Sequence, residues 1–349
     1  VSDEVPPTVS DEVPPALSDE VTADGSEPPT EGSPRRSPLA IARIVLAVVV
    51  LVAVVLALFQ TWDDVSTSLT AVSPAALVAC VLLGLGPPAC TMLGWRAVLR
   101  DLGSPLPIPP AAGIFFVGQL GKFVPGSVWT VLAQAEMGAR LRIPRRRSAV
   151  VGLVSVALSL LTGLAVGVPA LPLLLRRDDA RAVTVLVLIA LPVLAAVLHP
   201  PVLNWLIARG LRLLRRQPLE HPLSRRAVAT MSAWFLGAWV FAGASVAVLA
   251  RDLAPSVSPA ELVVTCGCGF ALASAAGMLV VLLPAGVGVR DGLLVLLLGA
   301  VMPIGAATAV AVIIRFVTTF ADVAYAAIGW LWARAHRLLG TSSDESRFS

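Results

Sequence analysis

From Leu39 to Leu339 the chain is a succession of apolar runs near twenty residues, joined by short segments that hold most of the arginines. A run of that length, at about 1.5 Å of rise per helical residue, matches the roughly 30 Å hydrocarbon core of a bilayer. In hydrocarbon only helices or closed barrels satisfy their own backbone groups. Composition agrees, since 57% of residues are hydrophobic and 14% charged, against about 25% charged in soluble domains. A water-soluble enzyme of 349 residues is excluded, as is a collagen-like, disulfide-rich or wholly disordered chain.

Hydropathy places full crossings at 39–60, 74–99, 148–174, 181–199, 227–250 and 305–333. Two further apolar segments, 111–134 and 260–301, are interrupted by Gly and Pro. With the N-terminus in the cytoplasm, 19 arginines fall inside and four outside, Arg176, Arg177, Arg181 and Arg251. That bias follows the positive-inside rule and puts both termini in the cytoplasm. It holds only if 111–134 enters and leaves on one side, as a re-entrant hairpin broken at Gly118-Gln-Leu-Gly-Lys-Phe-Val-Pro-Gly126. By the same parity 260–301, broken at Leu283-Pro-Ala-Gly-Val-Gly-Val-Arg-Asp-Gly292, enters from the opposite side. The expected fold is an all-α polytopic membrane protein of six transmembrane helices and two re-entrant broken-helix hairpins. Its halves, 39–174 and 181–336, repeat one order of elements from opposite faces, an inverted repeat of the kind that places a binding site at the midplane.

Residues 1–38 read differently. The eight-residue unit Val1-Ser-Asp-Glu-Val-Pro-Pro-Thr8 recurs from Val9 and in part from Leu17, and nine acids face two arginines, a net charge of −7. Such a Pro-rich acidic segment cannot bury enough surface to offset chain entropy and is expected to be a disordered cytoplasmic tail. It lacks the pattern of a signal peptide. A second short cytoplasmic tail is expected at 337–349. The body carries the balance of the +4 net charge, and its arginines, lying between apolar runs, point to membrane topology and anionic headgroups rather than nucleic acid.

Irregular backbone at bilayer depth is tolerated where protein or a water-filled cavity satisfies it, so the two breaks predict a cavity. Candidate binding residues follow. Pro125, Gly126 and Ser127 in the first break, and Gly286 and Gly288 in the second, precede half-helices whose free N–H groups suit an anion. Lys122, the only lysine among 26 basic residues, lies in the first break, with Gln119 one turn earlier. Arg290 and Asp291 are adjacent, hence expected on different faces with separate partners. Arg315 and Asp322, seven residues apart, share a face of the last span. Lys122, Arg290 and Arg315 would line an anion pathway held by Asp291 and Asp322, the alternative being structural ion pairs that stitch the helices. Glu136 is expected to pair with Arg140 at i,i+4. Trp62, Trp95, Trp205, Trp330 and Trp332 are expected as interfacial anchors.

No catalytic constellation is apparent, and no P-loop, HExxH or GxGxxG context occurs. The four cysteines and three histidines have no metal spacing, so neither a metal nor a cofactor is expected.

At Gly121-Lys-Phe-Val-Pro-Gly126, with Pro284-Ala-Gly-Val-Gly-Val-Arg-Asp291 and the Arg315 helix, residues 39–336 resemble the transmembrane region of lysylphosphatidylglycerol synthases and its stand-alone relatives. Ala285 and Asp291 depart from the family's usual Pro-Gly-Gly-like turn and Glu. The resemblance implies a bacterial plasma-membrane protein that binds and flips an aminoacylated or otherwise modified phospholipid, while a separate soluble domain attaches the amino acid. Only 13 residues follow His336, so that domain is expected to be absent and the chain is not expected to be an enzyme. The expected ligand is an anionic phospholipid or polyprenyl-linked glycolipid. Two alternatives are a lipid-presenting subunit or membrane enzyme working with a separate cytoplasmic transferase, and a scaffold recruiting a partner through the acidic tail. Self-association as a homo-oligomer is compatible with the sequence.

Overall fold

The computed structural model describes Ser66, Thr67, Leu219 and residues 70–123, 128–175, 181–213, 221–279 and 288–335. The acidic tail, the crossing at 39–60, Trp62, Pro125, Gly126, Ser127, Gly286 and the segment 337–349 lie outside the described residues.

Every regular element among the described residues is helical. Helices α1 (Pro74–Gly84) and α2 (Gly86–Asp101) run on from one another with Leu85 between them, and together make a 28-residue span. A first pair follows, α3 (Ile108–Gln119), a 3-10 turn (Leu120–Phe123) and α4 (Val128–Arg140). Next comes α5 (Arg145–Gly167), extended through a 3-10 turn and α6 (Leu171–Leu175). Helices α7 (Arg181–Leu198) and α8 (Pro200–Leu213) are followed by the long α9 (Arg225–Leu253). The second pair consists of α10 (Pro259–Leu262), a π-helical turn (Val263–Cys268), α11 (Gly269–Leu279) and α12 (Val289–Leu298). The 32-residue α13 (Ile304–Ala335) closes the described chain.

Five of these stretches are long and apolar enough to cross a bilayer: Pro74–Asp101, Arg145–Leu173, Arg225–Leu253, Pro259–Leu279 and Ile304–Ala335. Two differ from the sequence reading. The crossing expected at 181–199 bends by 79° between Leu198 and Pro200, so only α7 and α8 together could count as a span. Here Pro200 and Pro201 cannot donate to a continuing ladder. The first arm of the second pair, Pro259–Leu279, is itself of crossing length. Its partner α12 has 10 residues, about 15 Å, too short to cross. Arms α3 and α4, of 12 and 13 residues, reach about 18–20 Å and are also too short.

Polarity is inverted relative to a soluble fold. On α13 Phe316, Phe320 and Val323 are 73%, 56% and 55% exposed, while Arg315 and Asp322 turn inward. An apolar stripe outside and charges inside is stable only if the surrounding solvent is hydrocarbon.

The spans pack in exchanged pairs. Helices α2 and α9 make the most extensive interface, α3 packs on α13, and α11 packs on α5. The first interface is fastened at both ends. Ser224, the N-cap of α9, donates its N–H and hydroxyl to Asp101 at the end of α2, at 2.9 and 2.7 Å. Reciprocally, the N–H of Ser73, the N-cap of α1, donates to Asp252 near the end of α9 at 2.7 Å. Small residues allow the other crossings, with Gly113 against Gly329 between α3 and α13, and Gly163 and Gly167 of α5 against Ala275 and Leu272 of α11.

Candidate functional site

A cavity of about 420 Å³ opens where the two hydrophobic clusters of the core meet. Trp95, Phe115 and Phe235 of one cluster and Phe270 and Ile314 of the other form its apolar walls. That volume falls within the usual range for small-ligand sites.

The two helix pairs bring charge to it, and α13 receives both. The first pair does so because its arms approach closely. At Gly118 a Cβ would fall 2.5 Å from Gln134 Cγ, and at Gly121 it would fall 2.5 Å from the Thr130 backbone nitrogen. Only glycine permits that contact at Gly121, where the obstacle is backbone. The turn that follows presents Lys122, whose Nζ lies 2.6 Å from Asp322 on α13. The second pair does so from the start of α12. Its N-cap, Gly288, has φ +85, a conformation that disfavours any side chain, and it points the first turn of α12 at the cavity. There Arg290 donates to Asp291 Oδ1 through Nε and Nη2 at 3.1 and 3.0 Å. Asp291 Oδ2 in turn lies 3.7 Å from Arg315 Nη1 on α13.

The expected residues therefore converge. Gln119, Lys122, Arg290, Arg315 and Asp322 all line the cavity, and Asp291 holds two of its cations. One expectation about these charges is corrected. Arg290 and Asp291 pair with one another, because the long guanidinium chain folds back at the open first turn of α12. Asp322 contacts Lys122, and Asp291 also contacts Arg315. A second correction concerns Trp95, which is fully buried against Phe115 at 5.8 Å and is a cavity wall rather than an interfacial anchor. Trp205 and Trp330 are 56% and 41% exposed and lie under Arg209 and Arg334, as anchors would. Glu136 pairs with Arg145 rather than Arg140, through two 2.9 Å bonds, because α5 begins beside it.

Several neutral lining residues were not singled out from the sequence. Gln134, 2% exposed, Thr130, Ser155, Ser159, Ser274, Thr318 and Thr319 all face the cavity. For some of them a signal was present as a helical spacing, Ser155 and Ser159 at i,i+4 on α5 and Thr318, Thr319 and Asp322 on one side of α13. Tyr325, also in the wall, donates its hydroxyl to the Leu85 carbonyl at 2.9 Å, where α1 gives way to α2.

The arrangement is a mostly apolar chamber whose wall carries three cations and the carboxylate of Asp322, with Asp291 behind two of the cations, and amides and hydroxyls elsewhere. It can hold an anionic group with polar attachments. No group of His, Cys, Asp and Glu among the described residues could hold a metal ion.

Comparison with curated proteins returns no match. The family model described as the lysylphosphatidylglycerol synthase TM region matches residues 43–326, which takes in both helix pairs and every cavity residue named above. The chain is thus a multi-pass membrane protein, and it belongs to the lysylphosphatidylglycerol synthase TM region family.

Proposed function

We propose that the chain binds the headgroup of an anionic lipid in the central cavity and translocates it between leaflets, with the acyl chains remaining in the bilayer. One observation carries this reading. Lys122, Arg290 and Arg315, distant in sequence and borne by three separate elements, meet on the wall of one chamber. Ionisable groups at membrane depth are costly and are usually retained for substrate pathways.

In this reading the pair α3–α4 and the pair α10–α12, whose return arm α12 is too short to cross, are re-entrant, entering from opposite faces of a bacterial plasma membrane, with both chain termini cytoplasmic. The reciprocal packing of α3 on α13 and α11 on α5, and the twin fastenings at Asp101 and Asp252, support an inverted repeat. Rocking of one half against the other would expose the chamber alternately to each side. The chain itself performs no covalent chemistry, and a separately encoded transferase supplies or consumes the lipid.

The test is a liposome scrambling assay on reconstituted protein, paired with mass spectrometry of co-purifying lipids. Wild type is expected to retain anionic lipid and accelerate its exchange between leaflets. Arg315→Ala and Lys122→Ala are expected to lower both by about tenfold or more, each removing a cation from the headgroup site. Equal lipid retention and scrambling by all three proteins would mean that the charges only stitch helices together.

A further inference from the structure

The charge inventory of the chamber is narrow. Three cations meet two carboxylates, and each carboxylate is already in contact with a cation, Asp322 with Lys122 and Asp291 with both arginines. Among the described residues of the chamber one positive charge is left in excess. An occupant that balances the site therefore carries one negative charge. A second, positive charge on the same headgroup would find cations nearby and carboxylates already committed, and in a weakly polar surrounding that repulsion is poorly screened.

The neutral lining has the opposite character. Gln119, Gln134 and Thr319 reach the cavity without a hydrogen bond to protein among the described residues, and Gln134 is 2% exposed. The buried hydroxyl of Ser274, in the same wall, also lacks a partner. Buried amides and hydroxyls are normally satisfied, and an unpartnered one is costly. Amides in particular offer a donor and an acceptor together, the pairing that a vicinal hydroxyl group requires.

Building on the lipid-binding reading, we infer that the chamber selects a phosphodiester bearing an uncharged polyol, such as a glycerol, inositol or sugar headgroup, and discriminates against headgroups that carry an ammonium. The single net charge meets the phosphodiester at Arg290 and Arg315, and the hydroxyls meet Gln119, Gln134 and Thr319. This reverses the aminoacylated cargo that the family resemblance implies.

The test presents purified protein with an equimolar mixture of phosphatidylglycerol, phosphatidylinositol, phosphatidylethanolamine and lysyl-phosphatidylglycerol of matched acyl chains. Retained lipid is quantified by mass spectrometry. The two polyol lipids are expected to be enriched by about tenfold over the two ammonium lipids, the scale on which a mismatched polar site discriminates. Gln134→Glu, which supplies an uncommitted carboxylate, is expected to shift the ranking toward lysyl-phosphatidylglycerol. Parity of lysyl-phosphatidylglycerol with phosphatidylglycerol on the wild type overturns the inference while leaving lipid binding intact, and needs no variant to fold. Absence of enrichment for any lipid removes both readings. Displacement of bound lipid by excess water-soluble glycerol phosphate would keep the polyol-phosphate chemistry and overturn the lipid as its source.

Discussion

The two helix pairs deliver charge to α13 with opposite polarity. The first offers a cation, Lys122, to the carboxylate of Asp322, and the second offers a carboxylate, Asp291, to the guanidinium of Arg315. They also differ in redundancy. The Lys122–Asp322 contact joins one lysine, which keeps 36% of its side chain accessible, to one carboxylate, whereas Asp291 is shared between Arg290 and Arg315, with side chains 15% and 27% accessible. A shared counterion in a drier setting is the more fragile arrangement, since losing it strands two cations together.

The largest expected effect follows from that contrast. Asp291→Ala leaves both arginines uncompensated, and removing one partner of a fully buried pair costs about 3–5 kcal/mol. Discounted for partial accessibility, about 2–3 kcal/mol is expected. Asp322→Ala removes one ion-pair partner from a lysine that keeps other contacts and can reach polar surroundings, and is expected to cost about 1 kcal/mol. Thermal melting of the detergent-purified variants checks the ranking, and equal shifts would show that sharing the counterion has no consequence.

The pairs differ next in how tightly their arms close. In the first, Gly121 faces backbone of α4, so Gly121→Val must push the arms apart, at a cost of about 1–3 kcal/mol. In the second, Gly292 has nothing within 4 Å of a added Cβ and sits inside α12. Gly292→Ala is expected to be neutral or to stabilise by about 0.5–1 kcal/mol, the helix penalty of glycine. If Gly121→Val melts with wild type, close approach of α3 and α4 is not what positions Lys122.

Much of this was legible in the residues. Long apolar runs fix helices, and Gly/Pro interruptions fix where helices break, so both pairs and the charged lining could be named from the chain alone. Pairing within the lining was harder, because it depends on which helix faces meet. The adjacency of Arg290 and Asp291 suggests divergent faces, yet a flexible guanidinium at an open helix start reaches its neighbour. Trp95 lies near the end of an apolar run and reads as interfacial, but Gly94 lets Phe235 and Met231 approach closely and the indole is enclosed. The α2–α9 fastening carried a signal that hydropathy does not detect. Ser73 and Arg100-Asp101-Leu102 recur as Ser224 and Arg251-Asp252-Leu253 at identical spacing, a sequence trace of the two reciprocal fastenings. Gln134 had none, since one amide in a short helix announces a site only when the facing helices are known.

The smallest expected effect concerns how each pair is fastened at its base. The second begins with a capping box, in which Ser258 and Glu261 satisfy one another at the start of α10. The first ends beside a salt bridge between Glu136 and Arg145, whose side chains are 54% and 66% accessible. The hydrogen bonds and charge of Arg145 hold the Glu136 carboxyl below the usual glutamate range. A carboxylate depressed in the folded state adds stability that is present above its unfolded value, about pH 4.3, and is lost as pH falls through the folded value. Glu136→Gln should therefore flatten the acid side of the melting curve while leaving melting near neutral pH almost unchanged, because the pair is solvated and screened by salt. An unaltered acid limb would assign that limb to other carboxylates and make the base of the first pair dispensable.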